Sequence, residues 1–181
     1  MLTIVICYIF DNQHIFPVKP IIDQLKTSMH KTQQQIFRTE CQNKPKLRTF
    51  MLFKEFETLP PHIGKPLSFV ERKIISKLRL GILPIRLETA RYVRPILPEN
   101  ERVCYCNSGR IESESYVLFT CQIYNDLRQS WLNKLCIPVN FSQLSEEERL
   151  KIVLNKPENV KHTAQYLISI MDLRSRVNNV Y

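Results

Sequence analysis

The sequence predicts a mainly α-helical fold, an irregular multi-helix domain interrupted by one short cysteine-containing turn. Three observations carry that expectation. Two S-x-x-E capping boxes, Ser68 with Glu71 and Ser145 with Glu148, each precede an apolar run at helical spacing. No segment alternates apolar and polar residues over the length of a strand. Only three of the 181 residues are glycine while eleven are proline, so tight turns are few and segment breaks many.

The elements follow in chain order. The apolar start MLTIVICYIF reads as a buried strand or helix start, followed by a helix over 20–37. Pro20 opens that helix, where its missing N–H costs nothing, and Ile21, Ile22, Leu25, Met29 and Ile36 follow. A second helix runs over 45–57 with Leu47, Phe50, Met51 and Phe53 on its apolar side, and stops before Leu59-Pro60-Pro61. The third, 69–80, is the clearest: the Ser68 box starts it, Val70, Ile74 and Leu78 form a stripe, and Gly81 stands where a left-handed residue ends a helix. A short helix over 85–92 lies between Pro84 and Pro95, and Cys104–Arg110 reads as a turn. A long helix is expected over 114–135, with Ile123, Leu127, Trp131 and Leu135 on one side. The last two helices are 146–155 and 158–176, the latter with Val160, Ala164, Leu167 and Met171 facing inward. No repeat or low-complexity tract is present.

Charge divides the chain into three regions. Residues 1–37, the apolar segment and first helix, carry three basic and two acidic residues, net +1. Residues 38–94 carry 13 basic and five acidic residues, net +8. Residues 95–181 carry ten of each and are neutral, so the full +9 sits almost wholly in the middle. The expected organisation is 1–37, a basic helical region 38–96, and 97–181 with the cysteines and the C-terminal helices, the boundary falling at Leu97–Glu101. Concentrated positive charge attracts polyanions, so RNA or DNA is the expected partner. Arg72, Lys73, Lys77, Arg79, Arg86 and Arg91 are the candidate phosphate contacts. On a helix over 69–80, Lys73 with Lys77 and Arg72 with Arg79 form two outward rows beside the apolar stripe.

Several classes are excluded. No two glycines stand close enough for a phosphate-binding loop or a dinucleotide fingerprint. No apolar run reaches the ~18 residues of a membrane span. The N-terminal segment lacks a basic flank, and Asp11-Asn12-Gln13-His14 follows it, so it is not read as a secretion signal. An intracellular protein, cytoplasmic or nuclear, is the expectation, with its six cysteines reduced. The four aspartates, Asp11, Asp23, Asp126 and Asp172, are scattered, and no carboxylate pair suited to two-metal nucleotidyl transfer appears. His14, His30, His62 and His162 lie far apart. No catalysis and no small-molecule substrate are expected.

The informative cluster is Cys104, Cys106 and Cys121. The first pair is spaced C-x-C, one residue shorter than a usual C-x2-C zinc knuckle. Residues 77–104, KLRLGILPIRLETARYVRPILPENERVC, and 106–128, CNSGRIESESYVLFTCQIYNDLR, resemble the C-terminal region of LINE-type, non-LTR retrotransposon polyproteins. Pro45–Phe50 resembles a helix that precedes that region in related elements, and the stretch around Thr163, Ala164, Tyr166 and Leu167 is similar in character. The resemblance spans 40–175. It implies a non-catalytic helical module beside a reverse transcriptase, here a partner in trans, that contacts RNA or target DNA. It also implies a zinc knuckle, which the family writes as C-x2-C, then about nine residues, then H-x4-C. Tyr116 stands at the histidine position, with nine residues between it and Cys106 and four between it and Cys121. A phenol is a poor zinc donor because its pKa of about 10 keeps it protonated. The balance is therefore against a bound cofactor. If zinc is held, Cys104, Cys106 and Cys121 are its ligands, with Cys136 or His162 as a fourth if the fold brings one close. The competing expectation is a structural or protein-interaction helical remnant without nucleic-acid activity.

Overall fold

The computed structural model describes residues 18–42, 44, 48–53, 60 and 62–178. The expected N-terminal apolar segment and residues 45–47 and 54–57 of the expected second helix lie outside these residues. The chain divides into two compact units at Asn43/Lys44. In the first, α1 (Val18–Gln42) is a single long helix with Pro20 in its opening turn.

The second unit holds α2 (Arg48–Phe53), α3 (Phe69–Leu80), α4 (Arg86–Thr89), α5 (Glu114–Phe119), α6 (Asn125–Leu132), α7 (Glu146–Asn155) and α8 (Pro157–Asn178). Its centre is α8, which packs against α3, α6 and α7, while α2 rests on α3 and α7. Val160, Ala164, Leu167 and Ile170 repeat at helical spacing on α8 and are fully buried. Across them Trp131 of α6 stacks on Tyr166 with ring centroids 4.3 Å apart. The Tyr166 hydroxyl donates to the Leu118 carbonyl at 3.2 Å, so the ring is buried without an orphaned polar atom. One core draws on residues from Leu67 to Ile170 and therefore runs across Leu97–Glu101. Among the described residues the structure is helical with one isolated antiparallel bridge, and no helix is long and apolar enough to cross a membrane.

Both capping boxes form, and both helices begin where the boxes place them. In α3 the Ser68 amide donates to Glu71 Oε2 at 2.8 Å, and the Glu71 amide donates back to Ser68 Oγ at 3.3 Å. Gly81 ends α3 at φ 68°, ψ 31°, a conformation that a Cβ disfavours.

The stripe of α3 is rotated from the expected one. Ile75 and Leu78 are fully buried, Ile74 is half-buried, and Val70 is exposed. Charged residues take inward places instead. Glu71, fixed by the capping box, meets the Gln165 side chain of α8 at 3.3 Å. Arg79 donates to the Leu154 carbonyl at 3.1 Å, at the end of α7, where unpaired carbonyls attract a cation. A count of apolar spacings cannot register such pairing.

The helix expected over 114–135 is broken. It stops at Phe119, passes through a short 3₁₀ turn at Gln122–Tyr124 and restarts as α6. The buried Arg128 guanidinium takes the Leu118 carbonyl at 2.9 Å and the Cys121 carbonyl at 2.5 Å. Carbonyls that an unbroken helix would spend on its own amides are satisfied by a side chain. The break determines where Cys121 lies.

Candidate metal centre

A small hairpin carries the first two cysteines. Val103 and Ile111 form the antiparallel bridge, the Cys104 amide donates to the Arg110 carbonyl at 2.8 Å, and the Glu112 amide donates to the Arg102 carbonyl at 3.0 Å. The turn closes through two residues of positive φ, Asn107 at 58° and Gly109 at 70°. Asparagine and glycine are the residues that enter this region most readily. The short C-x-C spacing does not part the thiols. Cys104, Cys106 and Cys121 are all buried, with their sulfurs within 4.8 Å of one another. Cys104 Sγ and Cys121 Sγ stand 3.6 Å apart. A tetrahedral ion with metal–sulfur bonds of ~2.3 Å separates its sulfurs by about 3.8 Å, so the triad can hold a metal ion.

Tyr116, on the first turns of α5, brings its hydroxyl to 3.0 Å from Cys106 Sγ. It therefore occupies in space the place it occupies in the spacing. The hydroxyl donates to Ser108 Oγ at 2.7 Å, and Ser108 Oγ also lies 3.2 Å from Cys106 Sγ. Burial and the hydrogen bond with Cys106 push the phenol's pKa up to about 12. Cys104 and Cys121 share a hydrogen bond that raises the first thiol and lowers the second. Cys121 thus carries the thiolate more readily, helped by the Ile123 backbone N–H.

The hairpin is held by a buried ion pair that sequence reasoning missed. Glu112 is 0% exposed and pairs with Arg174 of α8. Its second oxygen accepts the Arg86 amide at 2.5 Å, and its first lies 3.6 Å from Cys104 Sγ. Arg174 also donates to the Pro84 carbonyl at 3.1 Å and faces the Tyr105 ring at 5.0 Å. Burial alone would lower the Arg174 pKa, and the Glu112 carboxylate, together with Tyr124, more than restores it. No local pattern announces this pair, whose members stand 62 positions apart in the chain. Neither reserve ligand joins the triad. Cys136 is exposed, with its amide bonded to Asn159 Oδ1 at 2.8 Å, and the cluster among the described residues contains no histidine.

The six candidate phosphate contacts separate. Lys73 is exposed and Lys77 half-buried on α3, and neither forms a salt bridge among the described residues. Lys73 Nζ lies 5.9 Å from the centroid of Phe69, a ring that is 78% exposed. Arg72 turns toward the preceding loop, 3.3 Å from the Leu67 carbonyl. Arg79, expected on an outward row, is 6% exposed and belongs to the core. Arg86 lies over the Tyr105 ring at 4.9 Å, and Arg91 pairs with Glu88 at 3.3 Å. The two outward rows thus reduce to one, Lys73 and Lys77, with Phe69 beside it. Val70, expected on the inward stripe, is exposed, and Phe69 beside it is exposed as well, a position that helical spacing does not pick out.

Compared with known proteins, the chain matches no family model, no curated protein and no solved structure at a significant level.

Proposed function

We propose that this chain is a non-catalytic, intracellular nucleic-acid-binding module that grips single-stranded RNA or DNA through α3. The observation that carries the reading is an exposed aromatic ring, Phe69, beside the exposed ammonium of Lys73, with the half-buried Lys77 one turn further along α3. Single-strand binders combine a cationic track for phosphates with aromatic faces on which bases stack, each stacked base contributing about 1–3 kcal/mol. The net charge of +8 over residues 38–94 supports this, because few acidic groups there compete for the cations. The resemblance to the region beyond the reverse transcriptase of non-LTR retrotransposons points the same way and would make a polymerase in trans the natural partner.

Zinc, which that resemblance implies, meets three suitable donors and one unsuitable one. Cys104, Cys106 and Cys121 have the spacing, but Tyr116 offers a protonated oxygen whose O–H donates to Ser108 Oγ. The exposed Phe69 and Val70 favour one second reading, a protein-docking face with no nucleic-acid role.

The test is fluorescence anisotropy with single-stranded RNA, single-stranded DNA and duplex DNA across a salt series. Binding to the single strands should weaken steeply with salt. Lys73→Gln with Lys77→Gln should lower the slope by about one to two units, if each lysine neutralises one phosphate. Phe69→Ala should weaken single-strand binding about tenfold while leaving the slope unchanged. No binding, or binding indifferent to all three substitutions, removes α3 as the interface and favours the docking reading.

A further inference from the structure

We propose that the thiol triad is a three-coordinate site for a soft monovalent ion, Cu(I), and not a tetrahedral zinc site. The inference is independent of the nucleic-acid reading. It starts from the disagreement between donor set and zinc. A structural zinc closes its tetrahedron with a fourth nitrogen or sulfur donor, and this chain presents a phenol there. That phenol is committed elsewhere: its proton goes to Ser108 Oγ at 2.7 Å, and the Arg110 amide donates to the same oxygen at 3.3 Å. Water cannot readily stand in, because Cys104 is 3%, Cys121 0% and Tyr116 4% exposed. What remains is three converging buried sulfurs, whose polar neighbours are the Glu112 carboxylate, 3.6 Å from Cys104, and the Ser108 hydroxyl, 3.2 Å from Cys106.

Soft thiolate sets suit Cu(I), zinc and iron–sulfur clusters, and of these Cu(I) is the ion that accepts two or three sulfurs without demanding a fourth ligand. A groove of about 650 Å³ is lined in part by Gly109, Arg110, Ser113 and Tyr116, and Tyr116 stands between it and Cys106. Binding breaks S–H bonds and forms Cu–S bonds, and the released protons pass to solvent. Copper arrives already reduced, so no electron moves. The Glu112 carboxylate, 3.6 Å from Cys104, opposes the charge of the thiolates, while its partner Arg174 and the Ile123 backbone N–H, which favours the Cys121 thiolate, work the other way.

The experiment uses the full chain, reduced and anaerobic. It is titrated with Cu(I) against bathocuproine disulfonate and, separately, with Zn²⁺ against a chromophoric chelator. X-ray absorption reports the atoms around the bound metal. The expected result is one Cu(I) per chain with sulfur neighbours only. Loss of an outer-shell partner typically costs 10–100-fold in affinity, so loss of a ligand in Cys121→Ser should exceed about 100-fold. Tyr116→Phe should leave Cu(I) affinity within about threefold, since it removes no ligand, and Tyr116→His should raise zinc affinity at least about tenfold. Cys136→Ser should change neither, and circular dichroism of each variant establishes that it folds. Three outcomes overturn the proposal. One is zinc held tightly by the wild type and released by Tyr116→Phe, which would make the phenol a ligand. The second is an oxygen or nitrogen neighbour on bound copper. The third is Cu(I) binding that survives Cys121→Ser in a folded variant.

Discussion

Replacing Arg174 with methionine is the perturbation that most directly tests how the cysteine hairpin is held. Glu112 is 0% exposed and faces Arg174, the Arg86 amide at 2.5 Å and the Cys104 thiol at 3.6 Å. Removing the guanidinium leaves the carboxylate with an amide and a weak S–H donor, and the Pro84 carbonyl loses its bond from Arg174. Breaking a buried pair from one side costs about 3–5 kcal/mol, because the surviving charge stays desolvated. Removing both charges costs less than the two single losses combined, since no uncompensated ion remains. The cycle of Arg174→Met, Glu112→Leu and the double variant should therefore show a coupling of about 2 kcal/mol. The chain has one tryptophan, and Trp131 stacks within the core on Tyr166 of the same helix as Arg174, so its emission is a suitable probe in urea unfolding. A loss below about 1 kcal/mol for Arg174→Met, or strictly additive singles, would refute the claim that this pair anchors the hairpin.

Two further outcomes follow from the packing and from titration. Ile75→Ala should destabilise by about 2–5 kcal/mol by opening a cavity, whereas Val70→Ala should stay within about 0.5 kcal/mol; equal costs in urea unfolding would contradict the rotated stripe of α3. The His62 pKa is lowered first by burial and then by Arg79 and Arg72, so the fold favours the neutral ring. That contribution to stability is fully present above the unfolded value of about 6.5 and is lost as pH falls through the folded value. His62→Asn should flatten the dependence of thermal midpoint on pH below about 6.5, and an unchanged slope there would count against it.

The helix starts were legible wherever chemistry is local. A capping box involves residues three apart, and α3 and α7 begin where Ser68 and Ser145 place them. The cysteine turn was legible for the same reason, whereas the place of Tyr116 beside the thiols was expected only from the spacing that the family resemblance implies. What could not be read was set by partners distant in the chain. Arg128 ends a helix by capturing the Leu118 and Cys121 carbonyls, and Arg79 leaves the surface for Leu154, 75 residues away. A positive residue on an amphipathic helix is ordinarily solvated, and only the tertiary structure reveals that a carbonyl awaits it. Arg174 and Glu112 follow the same rule, and so the support of the thiol triad was hidden although its members were not.

The position of α8 at the centre of the core has a consequence for the order in which the molecule can form. α3, α6 and α7 precede it in the chain, and all of them pack on it. During synthesis these three would leave the ribosome with their inward faces exposed and wait for the segment that covers them. Local turns such as the 103–111 hairpin need no such wait, but the ion pair that pins it draws its arginine from α8. Contacts of large separation carry the greater loop-closure cost and form late. Assembly of this unit thus waits on α8, with the interval of greatest vulnerability to aggregation falling just before that helix emerges.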